Sequence, residues 1–365
     1  MKKILLYAYV NMNFGDDMFL NLILKRYNNV EFYLFVPKRY KKYYSNFSSN
    51  LKILEYSEKS KLFQKFDGKL LNGYFTKHLY YYNMHKLQKQ YGRKMDAQIW
   101  LGGSQFVETD DWKEVLDYKE YQQKEELPFY SISATVGPYK SDEYISRVKN
   151  IIKKYDDFCC RDSESYNILK AIGNKIHWAP DMVFSYTTQN NRKQRQVCVS
   201  LINIEKRFGY KLGNLYAEII VDYIDYFISK NYKIVLLSLC IDQGDTKCCK
   251  KIKKKVSDSC KVEIVEYKKL NTILDVFGSS EYVIGTRYHS IVLGILFGAK
   301  ILPISYESKT ANLLRDIGKK GYSLDELWNI PISEATFWKF KKEEIESLRD
   351  KSEKQYQAID SFIYG

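Results

Sequence analysis

Short apolar runs that alternate with helical patterns constrain the fold of this chain more than any other feature of its sequence. In the first half of the chain these runs stand at residues 3–10, 31–36, 98–103, 128–137 and 157–162. A loop and a stretch with helical periodicity follow, the first at about residues 17–27. This alternation is typical of parallel strands that helices cover on both faces, so we predict an α/β fold.

The alternation restarts after a polar segment, residues 187–196, which has no hydrophobic periodicity and is predicted to be an interdomain linker. Later apolar runs stand at residues 197–202, 233–239, 262–267, 282–285 and 300–306. We therefore predict two Rossmann-like, doubly wound domains that face each other across a cleft. The N-terminal domain is assigned residues 1–186, the C-terminal domain residues 197–330, and a helical tail that can pack back on the N-terminal domain residues 331–365.

The chain has an excess of positive charge, with 58 Lys and Arg against 44 Asp and Glu and a net charge of +14. Such an excess suits an anionic partner, which can be a phosphorylated metabolite, a nucleic acid or an acidic membrane surface. We expect no nucleic-acid partner, because the sequence has no zinc-finger spacing, no RNP-like segment and no basic region with heptads.

The cysteines and the first apolar run indicate the cellular compartment in which the protein is expected. None of the seven cysteines stands in a C-x-x-C spacing, so neither a metal site nor a disulfide framework is predicted. The first run ends at Val10 without a small-residue cleavage site, which favours a buried strand over a signal peptide. No apolar run approaches the roughly 20 residues of a membrane-spanning helix. We expect a reduced, cytoplasmic protein.

Ligands of doubly wound sheets bind beyond the carboxyl ends of the strands, which draws attention to the loop after the first run. This loop contains Asn13, Gly15 and Asp16. Gly15 lets the backbone approach a ligand closely. Asp16 can act as an acid, a base or an acceptor for a sugar hydroxyl, whereas Asp17 is interpreted as a helix N-cap.

A second such loop ends the run 98–103 and contains Gly102, Gly103 and Ser104. A nucleophile elbow G-x-S-x-G is excluded, because Phe106 stands where the final glycine is required. The backbone N–H groups of the loop can instead wrap a small anion.

Two more polar residues follow apolar runs. Arg161 ends one run, where it either pairs with Asp162 on the surface or contributes to an anion site, and the sequence leaves both alternatives open. Asp181, in the step APD before the polar segment, is interpreted as a cap or turn residue.

The segment GTRYHS, residues 285–290, places Arg287 and His289 between an apolar strand and an apolar helix. Burying such side chains unpaired costs about 1–3 kcal/mol each, so they form either a structural pair or a ligand site. A guanidinium suits a carboxylate or phosphate, and histidine exchanges protons near neutral pH. Lys309 follows the next strand. Three such groups on adjacent loops favour an anion site.

Five segments, in this order, resemble the polysaccharide pyruvyl transferases of bacterial cell-surface glycan synthesis, and the resemblance extends to about Gly318. The family's R-x-H motif stands here as Arg287 and His289, and its Y-x-x-K motif as Tyr306 and Lys309. Two positions depart from the family: Ser104 replaces a usual third glycine, and Ser308 a common proline. The segments are NFGDDMFL, LGGSQF, CCRDSESYNIL, APD and GTRYHSIVLGILFGAKILPISYESK.

The resemblance implies a GT-B-like fold and a transferase that uses phosphoenolpyruvate. The enzyme would move the pyruvyl group onto two hydroxyls of a sugar, forming a cyclic ketal and releasing phosphate. It implies no metal and no cofactor besides this co-substrate. His289 and Asp16 would be catalytic. The donor would be bound by Arg161, Arg287, Lys309, Gly102, Gly103 and Ser104, and the acceptor by Asn13, Gly15 and Asp16.

The resemblance also implies a sugar acceptor that can be lipid-linked, and hence a peripheral position at the inner face of the membrane. Residues 74–94, rich in aromatic and basic side chains, either face the membrane or acceptor or form an amphipathic helix with its aromatics in the core. Two other functions stay open: a GT-B-type glycosyltransferase with a nucleotide-sugar donor, and a non-catalytic glycan- or phosphate-binding protein.

Overall fold

The computed structural model describes residues 1–58, 74–124, 126–188 and 193–365. Two compact units make up the chain: an N-terminal unit, residues 1–10, 19–179 and 355–365, and a C-terminal unit, residues 11–18 and 180–354. Residues 11–18 and 180–186 lie in the C-terminal unit and not in the predicted N-terminal domain, and residues 331–354 of the predicted tail also lie in the C-terminal unit. Residues 355–365 of that tail lie in the N-terminal unit. Of the predicted linker, residues 189–192 lie outside the described part, and a strand begins at Gln194, inside the predicted linker.

The N-terminal unit is built on a parallel sheet of seven described strands in the order β3-β2-β1-β4-β5-β6-β7. Its central strands are almost wholly buried, as all eight residues of β5 are, because helices cover both faces of the sheet. The strands are β1 (Lys3–Tyr7), β2 (Glu31–Pro37), β3 (Leu51–Tyr56), β4 (Ala97–Phe106), β5 (Phe129–Val136), β6 (Asp157–Cys160) and β7 (Ile176–Trp178).

Apolar residues at helical spacing bury one face of each long helix against this sheet. In the helix Asp142–Ile152, Ile145, Val148 and Ile152 are buried, and the side chain of Ser141 caps its first turn. The helices that lie wholly or largely in this unit are Phe14–Arg26, Lys41–Tyr44, Tyr74–Tyr91, Trp112–Gln122, Asp142–Ile152, Ser163–Leu169 and Gln357–Tyr364.

The C-terminal unit is built on a parallel sheet of five described strands in the order β10-β9-β8-β11-β12. Its strands are β8 (Gln194–Ser200), β9 (Lys233–Ser238), β10 (Val262–Glu266), β11 (Ser280–Gly285) and β12 (Lys300–Pro303). The helices of this unit are Ile204–Phe208, Tyr210–Ser229, Asp245–Lys253, Leu270–Ser279, Tyr288–Leu296, Ser308–Asp316, Leu324–Asn329 and Lys342–Ser352.

Both sheets have the strand order of a doubly wound Rossmann fold, with the third, second, first and fourth strands adjacent. The predicted α/β class is therefore confirmed. In each sheet the order reverses beside the first strand, between β1 and β4 and between β8 and β11. The loops after these strands are where such a fold binds ligands.

Two local predictions were wrong, and two strands had not been predicted. β4 does not end at Gly103, because Gly103 and Ser104 still pair with β5; these residues therefore lie in a strand and not in a loop. The first helix begins at Phe14 and not near residue 17. The strands β3 and β7 had not been predicted; β7 has only three residues, whereas the apolar residues of β3 were overlooked. Among the described helices, none is long and apolar enough to cross a membrane.

Candidate functional site

Arg287 lies at the start of the helix Tyr288–Leu296, directly after β11. Its guanidinium binds the carboxylate of Asp245 through two nitrogens, with Nε 3.0 Å from Oδ2 and Nη2 bonded to Oδ1. The third nitrogen, Nη1, donates to Oε1 of Gln243 at 2.7 Å. Asp245 is fully buried, and 11% of the Arg287 side chain is exposed. Arg287 thus forms a bidentate pair with a carboxylate that sequence reasoning had missed.

Burial and pairing act in opposite directions on these two groups. Burial raises the pKa of Asp245, although the Arg287 guanidinium opposes this. Burial alone would lower the pKa of Arg287, but the carboxylate of Asp245 outweighs it and the pKa is raised. Asp245 is also held by the backbone N–H of Cys240, at 2.9 Å from Oδ2. These bonds fix the position of the Arg287 guanidinium, and part of the guanidinium stays exposed.

His289 occupies the first turn of the same helix, and its ring packs against the backbone of Gly15. A Cβ at Gly15 would lie 1.9 Å from Nδ1 of His289, so no side chain fits there without moving the imidazole. Nε2 of His289 lies 3.8 Å from Oδ2 of Asp181, whose side chain is fully buried. A buried carboxylate therefore lies beside the imidazole.

Asp181 has two tasks. Its Oδ1 accepts from the backbone N–H of Val183 at 2.8 Å and so caps the short 3-10 helix Met182–Ser185. The interpretation of Asp181 as a cap residue is therefore confirmed. Its other oxygen is the one near His289. The sequence could not reveal the second task, since the two residues lie more than a hundred positions apart.

Lys309 belongs to a second cluster in the C-terminal unit, centred on Glu307. Nζ of Lys309 lies 2.8 Å from Oε2 of Glu307, and Nη1 of Arg207 bonds the other oxygen. Burial would raise the pKa of Glu307, but these two cations lower it. Nη2 of Arg207 also donates to Oε1 of Gln243 at 2.9 Å, so Gln243 links Arg207 to Arg287. The two cationic clusters are therefore one network.

Sequence reasoning missed Arg207. Its position in the chain could have indicated it. Arg207 stands in the segment NIEKRFG, which follows the central strand β8, and a doubly wound sheet binds its ligands beyond the ends of such strands. Asp245 follows β9 in the same way. Listing every charged residue that follows a strand would have found both.

The loop after β1 is grouped with the C-terminal unit. Asn13 accepts from the backbone N–H of Gly15 at 3.1 Å and so caps the first helix. Asp17 is not the N-cap that its position suggested, since the helix begins three residues earlier and Oδ2 of Asp17 accepts from the hydroxyl of Tyr267 at 2.7 Å. Asp16 is partly exposed. Asn13, Gly15 and Asp16 thus belong to the same unit as His289.

The other predicted donor residues lie in the N-terminal unit. Gly102 and Gly103 have φ of +43° and +80°, a conformation that glycine adopts most readily. A Cβ at Gly102 would lie 2.2 Å from the ring of Phe19. Ser104 is partly exposed, and its carbonyl accepts from the hydroxyl of Tyr9 at 2.9 Å.

Arg161, also in the N-terminal unit, is only 5% exposed. Its Nε donates to Oγ1 of Thr135 at 2.7 Å, and the same hydroxyl donates to Oδ2 of Asp162 at 2.9 Å. Asp162 in turn caps the helix Ser163–Leu169. Arg161 and Asp162 therefore interact through Thr135 inside the protein, and not as the surface pair that the sequence allowed.

The sequence profile of one family, described as polysaccharide pyruvyl transferase, matches residues 13–308. The chain belongs to this family. A curated relative, the amylovoran biosynthesis protein AmsJ of Erwinia amylovora, is 23% identical over 270 residues. The match covers 62% of this chain and 60% of AmsJ, so it spans less than two thirds of that relative.

Solved structures establish the fold independently. S. aureus MnaA, solved with UDP, has a TM-score of 0.60 at 10% identity, covering 100% of this chain and 97% of MnaA. The UDP-GlcNAc 2-epimerase of Methanocaldococcus jannaschii has a TM-score of 0.58 at 12% identity, covering 100% of both chains. At these identities the likeness concerns the fold alone. The predicted GT-B-like class with two Rossmann-like domains is confirmed.

The predicted site residues fall almost entirely within the segment that matches the pyruvyl transferase family. It includes Arg161, Arg287 and His289, and it ends one residue before Lys309. The resemblance seen in the sequence is therefore confirmed at the level of the family. The role of each residue stays a prediction.

Proposed function

We propose that this chain transfers the pyruvyl group of phosphoenolpyruvate onto two hydroxyls of a sugar in the synthesis of a bacterial cell-surface polysaccharide. Membership of the pyruvyl transferase family supports the reaction class. The relative AmsJ, described as an amylovoran biosynthesis protein, supports a role in polysaccharide synthesis.

The observation that carries the proposal is the position of His289. Its imidazole lies 3.8 Å from the buried carboxylate of Asp181 and packs on Gly15, at the start of a helix that follows the sheet. In catalytic sites a histidine that moves protons commonly has a carboxylate beside it. Arg287, two residues earlier in the chain, adds a positive charge at the start of the same helix.

The cationic network suits a donor with two anionic groups. Arg287 has five N–H donors, of which Asp245 and Gln243, among the described residues, accept three. Two remain for a carboxylate or phosphate. Arg207 and Lys309 share the carboxylate of Glu307, which is partly exposed, and a donor anion can displace it. The network can therefore bind the donor without a metal ion.

The proposed reaction proceeds in two additions. A proton is delivered to the methylene carbon of phosphoenolpyruvate while a sugar oxygen bonds to its central carbon, and His289 takes part in this transfer. The carbon–oxygen bond to phosphate then breaks. The second hydroxyl attacks the same carbon, closes the ketal ring and loses its proton to the released phosphate or a base. We propose Asp16 as the group that orients or deprotonates the acceptor.

The test is incubation of the protein with phosphoenolpyruvate and a panel of lipid-linked and nucleotide-linked sugars, followed by mass spectrometry. A pyruvyl ketal adduct, with one phosphate released per adduct, is the expected result. His289→Ala should lower turnover by orders of magnitude while the circular dichroism spectrum stays unchanged. Turnover near that of the unaltered protein would remove His289 from catalysis.

A nucleotide-sugar glycosyltransferase is the second candidate, because the similar fold of S. aureus MnaA was solved with UDP. In that reaction the same cations would hold a diphosphate. The two activities differ in their released product, which is phosphate from phosphoenolpyruvate in one and a nucleotide in the other. Release of nucleotide from a nucleotide-sugar, with no consumption of phosphoenolpyruvate, would decide for the glycosyltransferase.

A further inference from the structure

A cavity of about 540 Å³ opens in the C-terminal unit, away from the candidate site. Its lining includes Arg195 near the start of β8, Tyr232 just before β9 and Lys300 at the start of β12. These are the amino ends of parallel strands, whereas Arg207, Arg287 and Lys309 follow the carboxyl ends. The cavity therefore lies at the opposite edge of the same sheet, where the proposed pyruvyl transfer uses no residue.

Aromatic rings form much of the wall of this cavity. The ring centroid of Tyr282 lies 4.9 Å from that of Phe227, 5.5 Å from that of Tyr232 and 5.3 Å from that of Phe337. Tyr226, which also lines the cavity, keeps 37% of its surface exposed. These rings pack on one another at steep angles, and the partly exposed ring of Tyr226 offers a surface on which a flat ligand ring can stack.

Three cations stand over these rings. The guanidinium carbon of Arg195 lies 4.8 Å from the ring centroid of Tyr232, and Nζ of Lys300 lies 4.8 Å from that of Tyr282. Nζ of Lys230 lies 5.8 Å from the ring centroid of Tyr226. Each cation is therefore positioned beside an aromatic surface.

One carboxylate offsets part of this charge. Glu281 accepts from the hydroxyl of Tyr232 at 2.9 Å and from Nζ of Lys300 at 3.3 Å. Hydrogen bonds to Tyr282 and Glu281 raise the pKa of Lys300, so its ammonium stays charged at neutral pH. Three cations with one anion leave the cavity net positive, which favours an anionic ligand.

We propose that this cavity binds a nucleotide, with the base against the aromatic rings and the phosphate at Arg195, Lys230 and Lys300. Its volume lies within the range of roughly 300–1,000 Å³ typical of small-molecule sites. An inorganic anion would not use the aromatic wall, and an apolar ligand would not use the cations. A nucleotide uses both, since its base stacks and its phosphate accepts charged hydrogen bonds.

Isothermal titration calorimetry with UMP and AMP tests the proposal, with uridine and ribose 5-phosphate as the two halves of the ligand. A mononucleotide should bind at least about tenfold more tightly than either half. Equal binding of ribose 5-phosphate would show an anion site without base recognition and overturn the proposal. Absence of binding by both mononucleotides at millimolar concentration would overturn it as well.

Substitutions of lining residues test whether the mononucleotide binds in this cavity. Arg195→Ala and Lys230→Ala remove exposed cations and should each raise the Kd about tenfold or more. Tyr226→Ala should weaken UMP more than ribose 5-phosphate, because only UMP has a base to stack. Lys254→Ala is the matched control, since this exposed lysine does not line the cavity, and it should bind as the unaltered protein does.

Arg287→Ala separates this inference from the proposed function. It should leave the Kd for mononucleotides unchanged. Binding that is lost in Arg287→Ala and kept in Arg195→Ala would show that the nucleotide occupies the candidate site, which would overturn the inference and favour the glycosyltransferase. Formation of the pyruvyl ketal is measured separately, so either idea can fail without the other.

Discussion

At the scale of single residues, the contact between Gly15 and His289 has the clearest consequence. The imidazole occupies the space that a Cβ at Gly15 would need, with Nδ1 only 1.9 Å from that position. Gly15 was predicted to let a ligand approach the backbone, but in the structure the closest group to it is a side chain of the protein. Glycine is required here by the packing of His289.

Gly15→Ala should therefore destabilise the protein by about 1–3 kcal/mol, because the added methyl group overpacks the histidine. Urea unfolding measures this cost. The same substitution in a His289→Ala background should cost less, since the clashing ring is gone. An equal cost in both backgrounds would mean that the methyl group clashes with something other than His289.

Lys119 is a second residue whose environment is unusual. Its side chain is 2% exposed, and Nζ lies 3.3 Å from the ring centroid of Trp100 and 4.5 Å from that of Phe106. Among the described residues, none accepts a hydrogen bond from this Nζ. Burial lowers the pKa of Lys119 well below its ordinary value.

Lys119→Met should stabilise the protein by about 1–3 kcal/mol, because it removes a buried amine that lacks a hydrogen bond. Lys113→Met, on the exposed side of the same helix, is the matched control and should change stability by less than about 0.5 kcal/mol. Thermal unfolding at neutral pH compares the two. Destabilisation by Lys119→Met would show that the aromatic rings hold the ammonium more strongly than burial disfavours it.

The pH dependence of stability follows from the same lysine. The unfolded chain keeps the Lys119 proton up to a pKa of about 10.4, whereas the folded protein releases it at lower pH. Between these two pKa values the unfolded state binds more protons, so stability rises with pH. Lys119→Met should flatten this rise in urea unfolding measured across the alkaline range.

At the scale of elements, the C-terminal segment completes the N-terminal unit. The side chain of Gln355, 1% exposed, accepts from the backbone N–H of Ser133 at 2.8 Å and donates to the carbonyl of Ala179 at 2.8 Å. Asp360, in the following helix, binds Arg26 and the hydroxyl of Tyr27. One buried amide thus connects β5, the chain after β7 and the C-terminus.

Gln355→Ala should destabilise the protein by about 1–3 kcal/mol, because it leaves buried backbone groups without a partner. Gln357→Ala is the matched control, since this exposed glutamine lies two residues away. Chemical denaturation of both variants measures the difference. Similar stabilities for the two would show that water replaces the lost hydrogen bonds.

At the scale of the whole molecule, the net charge of +14 is the property with a testable consequence. We expect the protein to bind vesicles that contain phosphatidylglycerol at low ionic strength and to dissociate as salt screens the attraction. Flotation assays measure the bound fraction, with phosphatidylcholine vesicles as the neutral control. Equal binding to both vesicles, or none to either, would remove the anionic membrane surface from the proposed partners.

The α/β class and most strands could be predicted from sequence because their signals are local. A buried parallel strand is a short apolar run, and such runs are visible at β1, β5 and β9. The first helix was placed late, because Asn13 and not Asp17 caps it. β4 was ended early, since its glycines look like a loop until their pairing with β5 is known.

The candidate site was predictable only in part. Arg287, His289 and Lys309 could be named because chemistry and position after a strand are properties of the sequence. Asp245 and Asp181, the partners of Arg287 and His289, lie far away in the chain and meet them only through the fold, whereas Glu307 stands two residues before Lys309. Local patterns report which groups are present, whereas only tertiary packing decides which of them meet and which charges are left for a ligand.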